Sequence, residues 1–132
     1  MRPLEIYLVF NGNCEEAFNF YKLAFGVEAY HMMHYSDVPD DNPIDPADAS
    51  RVLHVTLPLG GLMLMGSDAP GSRPVSAGSN VMACFNAQSA GEAMQVFERL
   101  SAGGNVSQPL GKTFWADLFA MFTDRFGVPW II

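Results

Sequence analysis

The sequence predicts an α+β fold in which two βαβββ modules follow one another along the chain. An apolar, β-prone segment precedes each of two helix signals, and three strand-like segments follow each of them. The same order in both halves indicates an internal duplication. We therefore predict a single domain over residues 1–132, with module one at about 1–67, a linker at about 68–78 and module two at about 79–132.

Module one starts with the apolar run LEIYLVF (4–10), which ends at the turn-forming NGN (11–13). Asn13 and Glu16 have the spacing of a helix capping box, and Gly26 is a typical helix terminator. The strand signals that follow are EAYHMMHYS (28–36), VLHVTLPL (52–59) and LMLMGS (62–67). The two glycines at 60–61 predict a hairpin between the last two strands.

Module two repeats this order. A strand signal, NVMACFN (80–86), precedes a second capping box formed by Ser89 and Glu92. The glycines at 103–104 end this helix. Three more strands are predicted in VSQPLGK (106–112), FWADLFAMFTD (114–124) and VPWII (128–132).

Composition and charge limit the partners. Lys and Arg number 7 against 14 Asp and Glu, which gives a formal net charge of -7. Such a charge argues against binding to nucleic acid or to an anionic membrane surface. No apolar run approaches the ~20 residues that span a bilayer, and the start of the chain lacks a signal-peptide cleavage pattern. We expect a cytoplasmic protein whose partner is a small molecule.

Two cysteines, Cys14 and Cys84, lie far apart in the sequence and are expected to be reduced thiols. Cys14 stands at a predicted helix start, which favours a thiolate, but the neighbouring Glu15 and Glu16 oppose one.

Five aspartates fall in SDVPDDNPIDPADAS (36–50). We interpret this segment as a solvated loop, with a lid or a weak cation site as the alternative, because it lacks the regular ligand spacing of a calcium loop.

Three segments resemble the glyoxalase/bleomycin-resistance/dioxygenase superfamily, also called the vicinal-oxygen-chelate superfamily, and within it the PhnB-like branch. They are NGNCEEAFNFYKLAFG (11–26), LHVTLPLGGLMLMGSD (53–68) and KTFWADLFAMFTDRFGVPW (112–130). The resemblance implies a glyoxalase-like curled mixed sheet with an open cup that holds the ligand, and a homodimer. Some members carry a name that implies demethylubiquinone methyl transfer. We do not extend this activity to the present chain, because the sequence has no glycine-rich strand-to-helix turn of the kind that usually binds an adenosyl cofactor.

Metal-dependent members of this superfamily hold a divalent ion with one residue from each of the first, fourth, fifth and eighth strands. The resemblance assigns these positions to Ile6 or Tyr7, to the segment LMLMG (62–66), to Val81 or Met82, and to Ile131 or Trp130. None of these is a usual ligand for such an ion. We therefore expect neither a metal ion nor another cofactor.

Strand alternation selects candidate site residues, since residues two apart share a face. In segment 114–124 one face is apolar and is expected to pack on helices: Phe114, Ala116, Leu118, Ala120 and Phe122. The opposite face is expected to meet a ligand: Trp115, Asp117, Phe119, Met121 and Thr123. In segment 52–59 the expected core residues are Leu53, Val55, Leu57 and Leu59, and the expected ligand-facing residues are Val52, His54, Thr56 and Pro58.

His54 and Asp117 are therefore predicted at like positions in the two modules and are the candidate catalytic residues. His54 is suited to act as a general acid or base, and Asp117 to orient it or to hold a cationic group. Tyr7, Trp115 and Phe119 are the candidate ligand-binding residues. A structural histidine and a structurally paired aspartate are the alternatives.

The predicted function is a small-molecule-binding protein or a metal-independent enzyme with an aromatic, acidic cup. One alternative is sequestration of a planar cation without catalysis. Another is a metal-dependent lyase or dioxygenase with unusual ligands, such as His31, His54 or the aspartate-rich loop. His31 and His34 are three apart on a predicted strand, so they should point to opposite faces and not share an ion.

Overall fold

The structure is a computed structural model that describes residues 1–39, 41, 43–113 and 116–132. It confirms the predicted α+β class and the repeated βαβββ order. The strands and α-helix of the first module are β1 (Ile6–Phe10), α1 (Cys14–Phe25), β2 (His31–His34), β3 (Val52–Leu59) and β4 (Leu62–Asp68), and two short 3-10 helices, Tyr35–Asp37 and Pro46–Asp48, lie between β2 and β3. Those of the second module are β5 (Ala83–Cys84), α2 (Ala90–Ser101), β6 (Asn105–Gly111), β7 (Phe119–Thr123) and β8 (Pro129–Ile131).

The chain divides into two compact units, the first over Met1–Ser76 and the second over Ala77–Ile132. Among the described residues, each unit contains one α-helix and one open sheet of four strands. The predicted cup, which involves both modules, stays a prediction. Over the described ranges, no helix combines the length and the apolar character that a membrane crossing needs.

The first sheet has the strand order β1-β4-β3-β2, with β1 parallel to β4 and the other neighbours antiparallel. One face of this sheet is covered by α1. The buried residues of the sheet on that face include Phe10, Val55, Leu57 and Leu64. Those of α1 are Cys14, Ala17, Phe18, Tyr21 and Ala24. Since α1 is the one α-helix in the described part of this unit, the opposite face is not covered by an α-helix of the unit.

Helix α1 lies close to the middle of β4, at Gly66. A Cβ atom on Gly66 would lie 2.7 Å from Cε2 of Phe18 and 2.9 Å from the backbone oxygen of Leu8. Both separations are shorter than ordinary contacts. Glycine at this position is therefore what allows helix and sheet to approach.

The second sheet repeats the arrangement, with the order β5-β8-β7-β6 and β5 parallel to β8. Its buried face, formed by Ala83, Ala120, Phe122 and Trp130, meets the buried residues of α2. Phe97 of α2 contacts Phe122 edge to face, with ring centroids 5.5 Å apart. The predicted alternation is thus confirmed over β7, where Ala120 and Phe122 are buried and Phe119, Met121 and Thr123 are half-buried.

Two predicted strands of the second module are shorter than expected. β5 has 2 residues, and β7 begins at Phe119. Before β7, the backbone N–H and the hydroxyl of Thr113 both bond to Ala116, so these polar groups are not used for pairing with a neighbouring strand. The prediction of a strand from residue 114 is therefore wrong for residues 116–118, and residues 114 and 115 lie outside the described part.

The two predicted capping boxes have different outcomes. At α2 the serine half of the box is confirmed, because Ser89 Oγ accepts from the Glu92 N–H at 3.1 Å; the Glu92 carboxylate instead accepts from the Gln88 N–H at 2.9 Å, one residue before the N-cap. At α1 the box is wrong, because the Asn13 side chain makes no capping bond. The residue that caps this helix is Asp68, at the end of β4. The predicted end of α1 is confirmed, with Gly26 left-handed at φ 69°.

Asp68 is buried, and its two carboxylate oxygens accept three backbone hydrogen bonds. Oδ1 accepts from the N–H groups of Gly12 at 2.8 Å and Cys14 at 3.0 Å, and Oδ2 accepts from that of Val52 at 2.9 Å. The Tyr35 hydroxyl donates to the Asp68 carbonyl oxygen at 2.9 Å. One side chain thus joins the start of α1, the start of β3 and the end of β4.

The predicted faces of β3 need one correction. Val52 was expected on the ligand side but is buried, and Leu53 is only half-buried. The cause is a bulge: Met33 pairs with His54 and His34 pairs with Val52, so Leu53 has no partner on β2. A bulge reverses the alternation on one side of it. Val55 and Leu57 lie beyond it and are buried, as predicted.

Replacing Gly66 with alanine should lower the free energy of unfolding by about 1–3 kcal/mol, because the added methyl group overpacks against Phe18 and against a backbone oxygen that cannot rotate away. Urea denaturation followed by circular dichroism measures the change. Gly61→Ala is the matched control, since a Cβ there meets nothing within 4 Å. Equal stability of the two variants would contradict the close approach.

Replacing Asp68 with asparagine should lower the free energy of unfolding by about 2–4 kcal/mol, because an amide group would face a backbone N–H that now donates to a carboxylate oxygen. Glu98→Gln, which makes the same chemical change on the exposed side of α2, should shift stability by less than about 0.5 kcal/mol. The same denaturation experiment compares them, and a small loss for Asp68→Asn would show that its hydrogen bonds contribute little.

Candidate functional site

The first sheet presents a set of polar and apolar side chains on the face opposite α1. Strand pairing aligns Tyr7, Met65, Thr56 and His31 in one row across the four strands. Val9, Met33, His54 and Met63 share the same side by alternation. We call these eight residues the open face. Its exposed apolar members include Val9 at 44%, Met33 at 48% and Met63 at 39%.

Tyr7 and His54 form the polar centre of the open face. The Tyr7 hydroxyl lies 3.2 Å from Nδ1 of His54, and the two rings stack with centroids 5.6 Å apart and planes 26° apart. Because β4 lies between β1 and β3, the Tyr7 side chain must reach across β4 to make this contact. Both residues are exposed. The hydrogen bond therefore orients an imidazole that a ligand can reach.

The open face carries no carboxylate. Asp68 is the one acidic residue within the first sheet's strands, and it lies on the α1 side, bonded to backbone N–H groups. The acidic residues that give the chain its net charge of -7 are therefore not among the residues of the open face. The acidic character predicted for the ligand site depends on Asp117, in the second unit.

His31 and His34 lie on opposite sides of the first sheet, as their spacing predicted. His31 pairs with Thr56 and belongs to the open face. His34 bonds through Nε2 to Oε1 of Glu15, on α1. Its backbone N–H donates to Asp37 at 2.8 Å. His34 therefore links β2 to the helix.

The aspartate-rich loop is partly structural. Asp45 accepts from the Ala47 N–H at 3.0 Å. Asp48 is buried at 8% exposure, accepts from the Gly71 N–H at 3.1 Å and pairs with Arg51 at 3.2 Å. The prediction of a solvated loop is therefore wrong for Asp48, which is buried because it ties this loop to the segment after β4. Asp40 lies outside the described residues.

In the second unit, Asp117 is exposed and lies in a bend before β7, so its predicted place within a strand is wrong. It lines a cavity of about 580 Å³ at the start of α2. Other lining residues are Phe85, Asn86, Gln88, Ser89 and Ile132. Among the described side chains Asp117 has no ion-pair partner, and at this exposure it needs none.

The remaining predicted site residues have different outcomes. Phe119 is half-buried, on the side of β7 away from Ala120 and Phe122. Trp115 lies outside the described residues. His54 and Asp117 belong to different compact units, and their predicted combination in one site stays a prediction.

The pairing of Tyr7 with His54 was not predicted, although each residue was. The contact depends on the register between β1 and β4, and these two strands are far apart in the sequence. The cavity residues Phe85, Asn86 and Gln88 were also missed, and the predicted helix start at Ser89 is the one sequence signal near them.

The positions that the resemblance assigns to a metal ion hold unsuitable groups. β1 presents the phenol of Tyr7, and β4 presents thioethers at Met63 and Met65. On β8, the buried Trp130 donates its indole N–H to Asp124 at 2.8 Å. In the part of the chain that the structure describes, no group of three or more His, Cys, Asp or Glu is placed to hold a metal ion. This donor set does not fit a divalent cation.

Nearly the whole chain is similar to proteins of one known superfamily. The sequence model of the Glyoxalase/Bleomycin resistance protein/Dioxygenase superfamily matches residues 4–132. Protein YjdN of Escherichia coli (strain K12) is 31% identical over 98% of this chain and 93% of its own length. The resemblance inferred from the three sequence segments is thereby confirmed.

Two solved structures are similar over nearly the whole chain. Protein PA1353 from Pseudomonas aeruginosa has a TM-score of 0.85 and 39% identity, covering 98% of this chain and 96% of its own. A putative 3-demethylubiquinone-9 3-methyltransferase, the PhnB protein from Bacillus cereus, has a TM-score of 0.76 and 25% identity, covering 97% and 95%.

The two cysteines differ in accessibility. Cys14 is fully buried, and burial, with the nearby carboxylates of Asp68 and Glu15, raises the pKa of its thiol far above the ordinary value. Cys84 is exposed on β5. Since the thiolate is the reactive form, Cys14 is unsuited to nucleophilic or redox chemistry in the folded protein.

Titration of the native protein with Ellman's reagent at pH 8 should therefore modify one thiol per chain quickly, and Cys84→Ser should remove that fast reaction. Cys14 should react only after denaturation. Because its pKa is raised, raising the pH from 7 to 9 should not speed its native-state reaction as it would for an ordinary thiol. A second fast thiol in the native protein would contradict the burial of Cys14.

Proposed function

Because the chain belongs to the Glyoxalase/Bleomycin resistance protein/Dioxygenase superfamily, we propose that it binds a small molecule on the open face of the first unit without a metal ion. The observation that carries this proposal is the exposed Tyr7–His54 pair among apolar side chains. An apolar surface with a few well-placed polar groups is typical of small-molecule sites.

The three methionines of the open face suit this role. Met33, Met63 and Met65 surround the polar pair with flexible, polarisable side chains that adapt to ligands of different shape. The Tyr7–His54 pair would then fix the orientation of the bound molecule.

If the protein is an enzyme, His54 is the residue that would transfer a proton. An imidazole exchanges protons near neutral pH, and its second ring nitrogen is open to a substrate. Tyr7 would position the ring. Chemistry of this kind needs no metal ion, which agrees with the phenol and thioether groups at the positions assigned to metal ligands.

A second candidate function is capture of a cationic small molecule without turnover. The observation that favours it is the cavity in the second unit, which is lined by Asp117 together with Phe85, Asn86 and Gln88. A carboxylate and an aromatic ring are the groups that recognise an organic cation. Phe119 and Trp115 stay candidate ligand residues for this function.

A fluorescence and thermal-shift screen of neutral, anionic and cationic metabolites tests the first proposal. A ligand of the open face should bind about 10-fold more weakly to His54→Asn and to Tyr7→Phe, because each variant loses one hydrogen bond of about 1–1.5 kcal/mol. Tyr30→Phe is the matched control: it removes a hydroxyl that bonds to Asn19 and should bind within 2-fold of the wild type.

The same titrations separate the two candidate functions. Ligands that respond to Asp117→Asn but not to His54→Asn would assign binding to the cavity of the second unit and overturn the first proposal. Wild-type affinity in His54→Asn and Tyr7→Phe, for every ligand found, would overturn it as well.

A further inference from the structure

We infer that Tyr7 holds His54 in the tautomer that carries its proton on Nε2, so that the open face binds its ligand through an acceptor oxygen, as in a carbonyl, phenolate or carboxylate group. This inference rests on the proposed function for the choice of site. The state of the imidazole, in contrast, is a property of the free protein and can be measured without any ligand.

The direction of the Tyr7–His54 hydrogen bond follows from the chemistry of the two groups. They are 3.2 Å apart, so either the phenol donates to Nδ1 or a protonated Nδ1 donates to the phenol oxygen. A phenol is a good donor and a weak acceptor, whereas the unprotonated nitrogen of a neutral imidazole is a good acceptor. The phenol therefore donates to Nδ1, and the ring proton lies on Nε2.

The surroundings of His54 leave its Nε2–H group free for a ligand. Among the described residues, Tyr7 is the hydrogen-bond partner of His54. The open face also carries the Thr56 hydroxyl and the His31 imidazole, but neither is hydrogen-bonded to His54 among the described residues, and its other members are thioethers and an aliphatic group, which are at most weak acceptors. His54 is exposed, so this donor now faces solvent. A ligand that displaces solvent must supply an acceptor in its place or leave the donor unpaired.

Local charge favours the same class of ligand. The strands of the first sheet contain one carboxylate, that of Asp68, and it is buried on the opposite side. An anionic or strongly polarised oxygen therefore meets no carboxylate among the eight residues of the open face; Glu5, just before β1, is the nearest acidic residue in the sequence. A cation would find no carboxylate on the open face to pair with. The apolar part of the ligand would contact Val9, Met33 and Met63, which are all exposed.

The tautomer is tested first, on ligand-free protein labelled with ¹⁵N-histidine at pH 8.5, where an ordinary histidine is neutral. In a long-range ¹H–¹⁵N spectrum, His54 should show an unprotonated, hydrogen-bonded Nδ1 and a protonated Nε2. His31, on the same face without a tyrosine partner among the described residues, is the internal reference and should show a mixture of tautomers. In Tyr7→Phe, His54 should change to such a mixture.

The ligand class is tested next with three probes of one shape: 3-phenylpropionate, 3-phenylpropanol and 3-phenylpropylammonium. The carboxylate should shift the His54 Nε2 signals and should bind at least 5-fold more tightly than the ammonium compound. Its affinity should fall about 5- to 10-fold in Tyr7→Phe, which corresponds to about 1–1.4 kcal/mol.

The outcomes distinguish this inference from the proposed function. A protonated Nδ1 in wild-type His54, or an unchanged spectrum in Tyr7→Phe, would overturn the inference and leave ligand binding at the open face untouched. Preferential binding of the ammonium probe at His54 would overturn the ligand class. If His54 has the predicted tautomer but the ligand affinities are unchanged in His54→Asn, the proposed function would be overturned instead.

Discussion

The buried carboxylate of Asp68 is the interaction on which the first unit depends. A carboxylate removed from water is costly unless hydrogen bonds replace its hydration, and three backbone N–H groups do so here. Those donors belong to the start of α1 and the start of β3, while Asp68 itself ends β4. The contact therefore places the helix on one side of the sheet. The other side is left to Tyr7, His54 and their apolar neighbours.

Local chemistry explains which parts of the fold could be predicted from the sequence. The β3–β4 hairpin follows from two adjacent glycines, and the start of α2 follows from a serine and a glutamate three residues apart. The start of α1 could not be predicted in the same way, because its capping group comes from a residue 54 positions away from Cys14. The bulge at Leu53 likewise depends on how β2 pairs with β3.

The candidate site shows the same division. Alternation along β3 was sufficient to select His54, and alternation along β7 was sufficient to select Phe119. What makes His54 a plausible recognition group is its contact with Tyr7, and that contact depends on the register of three strands. Asp117 was assigned to a strand, but β7 begins only at Phe119, after the bonds between Thr113 and Ala116. A period-two pattern does not show where pairing stops.

The parallel pairing of β1 with β4 also has a consequence for the order of folding. Ile6 pairs with Leu64, so β1 has its partner strand only after the 58 positions from Tyr7 up to Leu64 have been synthesised. At typical elongation rates that interval is about 3 to 12 seconds. The nascent chain carries the apolar segment IYLVF unpaired during this time. Non-local closure of this kind slows folding and leaves the segment exposed to aggregation until its partner strand is available.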